Sequence, residues 1–494
     1  MSHVLSIIVL GVVATVFLVF CKVVYNIYFH PLRHYPGSKL WAATRLTWAS
    51  AMQSGHYHHK LHELHTKYGP IVRIAPNELS FVSPDAWKDI YGNRNIPKNN
   101  VWTSQEEEHH PISIVSTDEA THLRNRRALT GAFTEHAIAE HAYILEDLVG
   151  LMVQKFGEAV AHGQGCAVLD TSNWLNFLTF DISGAFAFGE SFHSVANGRA
   201  HPWVEISCNF GKGVGLMASI NFFHPLNKLM KLAMPKNVME KMKYHKRLVH
   251  ESLMQRLAME NKTKALDYVG SVMAYNEEKG EVKIPKEEIE ANLNILIFTG
   301  SETTSTAMAA IIHQLLNSPA VLERAQKEIR STFDNEDQIT VSSTAKLDYL
   351  SAVILEGMRM SPPAAVGPPR VVEREGEMIS GQYVPRGTLV AVNQYPTFRS
   401  ASNFTHPDSF IPERFLPKSP FSSDRLDAFE PFLLGRHKCI GQRLAWAVLR
   451  LTLSKILFTF DTKAVEERGE FSDQKIYIFW EKKPLMVELR LSGS

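Results

Sequence analysis

At 494 residues, with 45% hydrophobic and 21% charged side chains, the chain is long enough to bury a sizeable core and too apolar to be disordered. Lys and Arg number 52 against 51 Asp and Glu, a net charge of +1 that gives no argument for nucleic-acid binding. Four cysteines, Cys21, Cys166, Cys208 and Cys439, share no paired spacing and no CxxC, which argues against a disulfide scaffold.

Val4 to Cys21 carries no charge and 13 Val, Leu, Ile or Phe residues. At roughly −0.3 to −0.6 kcal/mol each, these outweigh any one flanking charge near +3, so the segment is expected to span a membrane. The basic residues Lys22, Arg33, Lys39 and Arg45 come after the apolar run, the reverse of a cleavable signal peptide, and place the remainder of the chain on the cytosolic side. Cytosolic exposure would leave the sequons at Asn261 and Asn403 unmodified. No Gly/Ser/Pro linker, charge block or internal repeat divides the chain after residue 40. The expected organisation is therefore a membrane anchor over residues 1–30 and one large unit over 31–494, opening with the proline-rich stretch 31–40.

Next comes GHYHHKLHELH, which sets His58 and His62 at i, i+4 with His59 and His65 nearby, a spacing that zinc accepts. No carboxylate or cysteine completes the set, and an exposed helix near the membrane accounts for the same residues. EEEHH at 106–110 reads as a solvated loop. THLRNRRALTGAF, 121–133, reads as a helix with a solvated basic face at Arg124 and Arg127. Helical periodicity continues in PKNVMEKMKYHKRLVHESLMQRLAME and SPAVLERAQKEIRSTF, whereas GPIVRIAP, GTLVAVN and PLMVELRL alternate as strands do. The fold class is mainly α with small β-sheets, an α+β arrangement.

Between Pro285 and Asn317 an apolar helix-period segment opens with Glu287, Glu288 and Glu290 and is followed by Pro319. TGSETT interrupts it, and polar residues in mid-core need a reason. A kinked buried helix whose hydroxyls bond back to carbonyls one turn earlier would supply one. YLSAVILEGMRMSPP is a further helix, with Glu356 and Arg359 at i, i+3 on one face. In FLLGRHKCIG, Gly435 and Gly441 allow close backbone approach around Cys439, while Arg436, His437 and Lys438 favour an ionised sulfur. Such a thiolate is a nucleophile, with His437 as a nearby base, or a metal ligand.

F-x-x-G-x-x-x-C-x-G resembles the haem-ligand loop of the cytochrome P450 family, and the resemblance extends over nearly the whole chain. TGSETT is similar to the family's signature in the long helix that crosses the haem, with Thr299 where alanine or glycine is commoner. Pro412-Glu413-Arg414-Phe415 resembles its PERF segment, and FHPLRHYPGSKL the hinge of its membrane-bound members. KYGPIVRIAPNELSF is similar to fungal members, and the likeness is nearest to trichothecene-pathway hydroxylases.

The resemblance implies a cytochrome P450 fold with one N-terminal transmembrane helix and a haem b whose iron is ligated by Cys439, with Phe432 covering the sulfur and Gly435 and Gly441 admitting the turn. His122, Arg126, Arg370 and His437, the last standing where relatives carry arginine and expected to lose its contact only at high pH, would hold the propionates. Gly300 would open the long helix for dioxygen, and Thr303 with Glu302 would deliver protons. Glu356, Arg359 and Arg414 would form one structural network. No flavin or nicotinamide fingerprint occurs, so electrons would come from NADPH through NADPH-cytochrome P450 reductase, with cytochrome b5 as a second donor, docking near Arg436, Lys438 and 124–127. The implied function is a monooxygenase of the endoplasmic reticulum membrane, acting on an apolar terpenoid or polyketide intermediate held by residues 100–115, 213–223, Phe298, 364–368 and 476–479. A xenobiotic or fatty-acid hydroxylase, a haem-thiolate isomerase or dehydratase, and a haem carrier without turnover are the alternatives.

Overall fold

The computed structural model describes residues 2–93, 96–99, 113–115, 119–223, 227, 236–259, 267–279, 283–465 and 474–493. The principal helices are α1 (Ser2–Val24), α2 (Tyr57–Tyr68), α3 (Glu119–Thr130), α4 (Ala142–His162), α5 (Thr171–Phe188), α6 (Pro202–Asn221), α7 (Lys236–Ala258), α8 (Lys286–Leu316), α9 (Pro319–Thr332), α10 (Asp348–Met360) and α11 (Gln442–Thr459). Four strands form one sheet, β1 (Ile71–Ala75), β2 (Glu78–Phe81), β7 (Leu389–Val392) and β4 (Arg370–Val371) in spatial order. β2 and β7 run parallel, and the outer pairs are antiparallel. β3 (Ala167–Asp170), β9 (Met486–Leu491) and β8 (Phe460–Ala464) make a second sheet, and β5 (Gly376–Ile379) with β6 (Gln382–Pro385) a hairpin. The architecture is mainly helical with small sheets.

Among the described residues two helices are long and apolar enough to cross a membrane, and burial separates them. α1 exposes its Val, Leu, Ile and Phe side chains on every side, whereas α8 is mostly buried and is a core helix. After α1 the chain turns through Pro31–His34 onto the sheet, where the Arg73 N–H donates to Pro36 O at 2.8 Å and the Tyr35 hydroxyl to Tyr383 O at 2.7 Å.

α5 is buried almost all round and lies along α8, while α4 packs on α5 and α11. Glu287 and Glu288 sit in the first turn of α8, where the helix dipole favours anions, and the Asn317 amide caps its end on His313 O at 2.8 Å. α10 meets α8 at Gly357, where any Cβ would collide with Ile311.

α2 departs from the expectation of an exposed helix. Tyr57, His58, Leu61, Leu64 and His65 are buried, because the face carrying them packs on β1 and on the short helix Gln394–Phe398. His65 is bonded through Nδ1 to Gly69 O at 2.9 Å and through Nε2 to Ser80 Oγ at 2.7 Å. Among the described residues no three His, Cys, Asp or Glu converge to hold a metal ion, so the zinc alternative falls. Asn403 is buried, and its amide donates to Val82 O at 2.8 Å and Thr397 O at 3.0 Å, which removes it as a glycan acceptor. Asn261 and the segment 106–110 lie outside the described residues.

Candidate active site

Cys439 sits in a loop that ends at the head of α11. Its N–H donates to Phe432 O at 2.9 Å, which closes the loop on itself. Gly435 is required twice over: its φ is +70°, and a Cβ there would collide with the Tyr91 carbonyl. Gly441 has φ −84°, and a Cβ there would meet only Phe133, at 3.7 Å. Its contribution is an N–H, donated to the Cys439 sulfur at the positive end of the α11 dipole. Burial pushes the Cys439 thiol up, against the pull of that N–H and of Arg126 and Lys438. As a residue Cys439 keeps accessible surface, so the loop leaves it open to contact by a further group.

Cations gather beside the loop. Arg126 Nη1 donates to Lys438 O at 2.7 Å, and Arg370, 3% exposed, lies over the Tyr91 ring. Arg370 Nε and Nη2 are buried with no acceptor. Lys98, which no sequence motif marks, donates to Ile114 O at 3.3 Å and Val115 O at 3.1 Å. Burial, with Arg370 and Arg126 nearby, pulls its ammonium down to about 8, against the carboxylate of Glu119. Glu119 forms an ion pair with Arg436, Oε1 to Nη1 at 2.5 Å, and its Oε2 stands 3.2 Å from His437 Nε2. Burial first, then Lys98, Arg370, His122 and Arg436, hold His437 far below its ordinary value, so the charge expected at this position is not carried. His122 turns both ring nitrogens to carbonyls, Ile114 O at 2.9 Å and Arg436 O at 3.2 Å.

These residues fit a group that brings carboxylates. Unanswered N–H groups on a buried guanidinium are costly, and among the described residues the arginines and Lys98 exceed the carboxylate of Glu119. Together with a cysteine at a helix head whose thiolate the Gly441 N–H, Arg126 and Lys438 favour, they match the donor set that a haem with two propionates needs.

α8 runs as unbroken α-helix through TGSETT, so the opening expected at Gly300 is not seen. A Cβ on Gly300 would stand 3.1 Å from Ser183 Oγ, and the glycine lets α5 approach. Hydroxyls along the run bond back one turn: Thr299 to Ile295 O at 2.8 Å, Ser301 to Ile297 O at 2.8 Å, Thr303 to Thr299 O at 2.6 Å. Thr303 keeps accessible surface while Glu302 and Thr304 are buried. Burial raises the Glu302 carboxyl and Lys482 opposes it, with Lys482 Nζ 3.1 Å from Glu302 Oε1. Lys482 also donates to Ser305 Oγ at 2.6 Å and Asn176 Oδ1 at 2.5 Å. No local pattern distinguishes Lys98 or Lys482 from solvated lysines, and only their tertiary partners mark them.

Glu356, Arg359 and Arg414 meet in one fully buried network. Arg359 donates to Glu356 at 2.7 and 2.8 Å and to the carbonyls of Phe398, Pro407 and Ser409, and Arg414 joins Glu356 to Asp424. Arg124 corrects the reading of a solvated face: its guanidinium grips Glu288 at 2.6 and 2.7 Å and docks α3 on α8, whereas Arg127 and Lys438 are exposed. Of the expected substrate lining, Phe298 meets Phe479 edge-on at 5.1 Å, and Gly211 and Gly215 bring α6 onto Phe479 and Tyr477. Ile476 instead packs with Ala365 and Tyr395 in the core, and residues 100–112 lie outside the described residues.

The family model described as Cytochrome P450 matches residues 36–489. Cytochrome P450 monooxygenase astJ of Aspergillus oryzae is 37% identical over 477 residues, 95% of this chain and 94% of its own length. The trichothecene C-15 hydroxylase of Fusarium sporotrichioides is 37% identical over 478 residues, 94% of each chain. Cytochrome P450 monooxygenase prhB of Penicillium brasilianum is 34% identical over 482 residues, 97% of each.

Proposed function

This chain belongs to the cytochrome P450 family of monooxygenases, oxidoreductases for which the family implies a haem iron, and from that premise we propose that it oxidises an apolar terpenoid or polyketide intermediate of fungal secondary metabolism by hydroxylation or epoxidation. The substrate class is supported by relatives that are fungal monooxygenases, one named for trichothecene C-15 hydroxylation, and by the aromatic contact of Phe298 with Phe479.

In this reading Cys439 would ligate the haem iron through a thiolate stabilised by the Gly441 N–H, with Gly435 setting the loop and Phe432 accepting the Cys439 N–H. Arg370, Arg126 and Lys98 would hold the propionates, with His122 and His437 as neutral neighbours. Thiolate-ligated haem supplies activation of dioxygen and cleavage of its O–O bond. Thr303 then has to break its 2.6 Å bond to Thr299 O before Oγ1 can donate into the site. Glu302, held by Lys482, returns the proton to Thr303 Oγ1. Glu356, Arg359 and Arg414 brace the loop without touching the reacting atoms.

Electrons come from NADPH through the flavoprotein reductase, which docks on the exposed Arg127 and Lys438. Residues 1–30 anchor the chain in the endoplasmic reticulum membrane with residues 31–494 in the cytosol, and exposed α1 supports that boundary.

The observation that carries the proposal is Cys439 itself, a cysteine that keeps accessible surface at the head of α11 with the Gly441 N–H and the Arg126 and Lys438 charges favouring its thiolate. Cys439→Ser replaces the thiolate with a poorer, harder ligand. The reduced carbon monoxide complex should then lose the long-wavelength band diagnostic of thiolate ligation, and a variant that kept the band would refute the assignment.

A further inference from the structure

A cavity of about 100 Å3 lies between α2, the later turns of α8, the end of α10 and the segment 474–482, with His58, His59, Thr306, His313, Arg399 and Lys482 in its walls. Three of these side chains present buried polar atoms that have no hydrogen-bond partner: both ring nitrogens of His58, Thr306 Oγ1 and Arg399 Nε. His58 is 1% exposed and Thr306 4%, and the Tyr395 ring lies edge-on to His58 at 4.8 Å. Leaving such an atom buried and unpaired is costly. Orphans from three residues around one void point to hydrogen-bonding matter inside it, and the volume suits about three waters. Burial keeps His58 neutral, so it adds no charge to be balanced.

Lys482 connects this cavity to the active site. It lines the void, and its Nζ reaches Glu302 Oε1, Ser305 Oγ and Asn176 Oδ1. Thr306 stands one turn beyond Glu302 on the same helix. On the far side His59 and His313 are half-exposed, which gives the void a rim toward solvent.

We propose that Lys482 is a positioning residue for Glu302 and that the cavity holds the ordered waters from which Glu302 is recharged. The inference rests on the reading of Glu302 as the proton-delivering acid. In each proton delivery Lys482 passes one N–H proton to the Glu302 carboxylate and takes one back from a cavity water, which draws its replacement from solvent at the rim. One proton moves inward per delivery and no electron moves, and the two protons that one oxygen insertion consumes take two such deliveries.

Two readouts test it without turnover. A crystal structure of the holoenzyme should show water within hydrogen-bond reach of His58, Thr306 and Arg399 Nε, and a dry cavity overturns the proposal. In Lys482→Met, Glu302 should gain a proton at neutral pH and show the carbonyl stretch of a buried protonated carboxyl in the infrared, a band lost when Glu302→Gln is added. No band overturns the positioning role. Turnover supplies the third readout. Lys482→Arg keeps charge and donors but cannot release a proton, so product per NADPH should fall roughly tenfold with hydrogen peroxide in its place. His58→Phe/Thr306→Val, which dries the cavity, should do the same, and wild-type coupling in either variant overturns the relay. If Glu302→Gln itself couples normally, the proton-delivery reading fails. If Glu302→Gln is defective while Lys482→Arg is not, this inference alone fails.

Discussion

Thr303 stands at the junction of packing and chemistry. Its hydroxyl satisfies Thr299 O, a bond that helices do without easily, and its accessible surface sets it apart from the buried residues on either side. Thr303→Ala should therefore leave haem and substrate binding nearly intact while hydrogen peroxide rises and product per NADPH falls by about tenfold or more. Unchanged coupling would remove Thr303 from proton delivery. The two loop glycines make a sharper pair. Gly435→Ala forces a side chain into the left-handed region and against the Tyr91 carbonyl, so haem content per protein should collapse. Gly441→Ala adds only a contact at 3.7 Å, so most haem should be retained. Equal losses would show that something other than backbone geometry selects glycine there.

At the scale of elements, the network that ties α10 to the chain after Phe398 is ionic. Arg359 joins α10 to three carbonyls in the chain that leads to Pro412–Phe415, and Arg414 carries the connection on to Asp424. All the charges lie at 0% exposure, so removing one partner strands the others in low dielectric. Arg359→Met should cost about 3–5 kcal/mol, read as the denaturant midpoint of the haem-loaded protein. Arg359→Lys should rescue little, since a single ammonium cannot reach the carboxylate and three separate carbonyls. A midpoint within error of wild type for Arg359→Met would show that the network does not brace the fold.

For the whole molecule the question is where the anchor ends. α1 contributes no residue to the thiolate, cation or proton-delivery sets, whereas Tyr35 and Pro36 are already tied to the sheets. Removal of residues 1–30 should release the protein from membranes with its haem spectrum preserved. Turnover in cells should fall more than turnover with excess soluble reductase, because the proposed anchor would supply proximity to the proposed reductase rather than chemistry. Loss of haem on truncation would place the boundary further toward the C-terminus. The stretch 220–226, whose apolar residues suggest a second membrane contact and of which 224–226 lie outside the described residues, is partly engaged: Phe222 meets Trp48 edge-on at 5.0 Å with the Arg45 guanidinium 3.9 Å above its ring. That leaves the truncated protein less apolar surface with which to stay on the bilayer.

What the sequence determined by itself is whatever a short window encodes. An uncharged apolar run, the 3.6-residue period of α8, α9 and α10, the alternation of β1, β7 and β9, and a cysteine between glycines are all local, since neighbours in the chain are neighbours on the element. Tertiary structure alone decided which polar residues have partners. A lysine at 98 or 482, a histidine at 58 and an arginine at 124 look the same whether solvated or buried. Their pairing with Arg370's surroundings, Glu302, Tyr395 and Glu288 depends on elements brought together from distant parts of the chain. Gly300 makes the same point from the other side. Its helix was legible, but whether the missing side chain serves an opening or the approach of Ser183 on α5 is a fact about two helices, and no single stretch contains it.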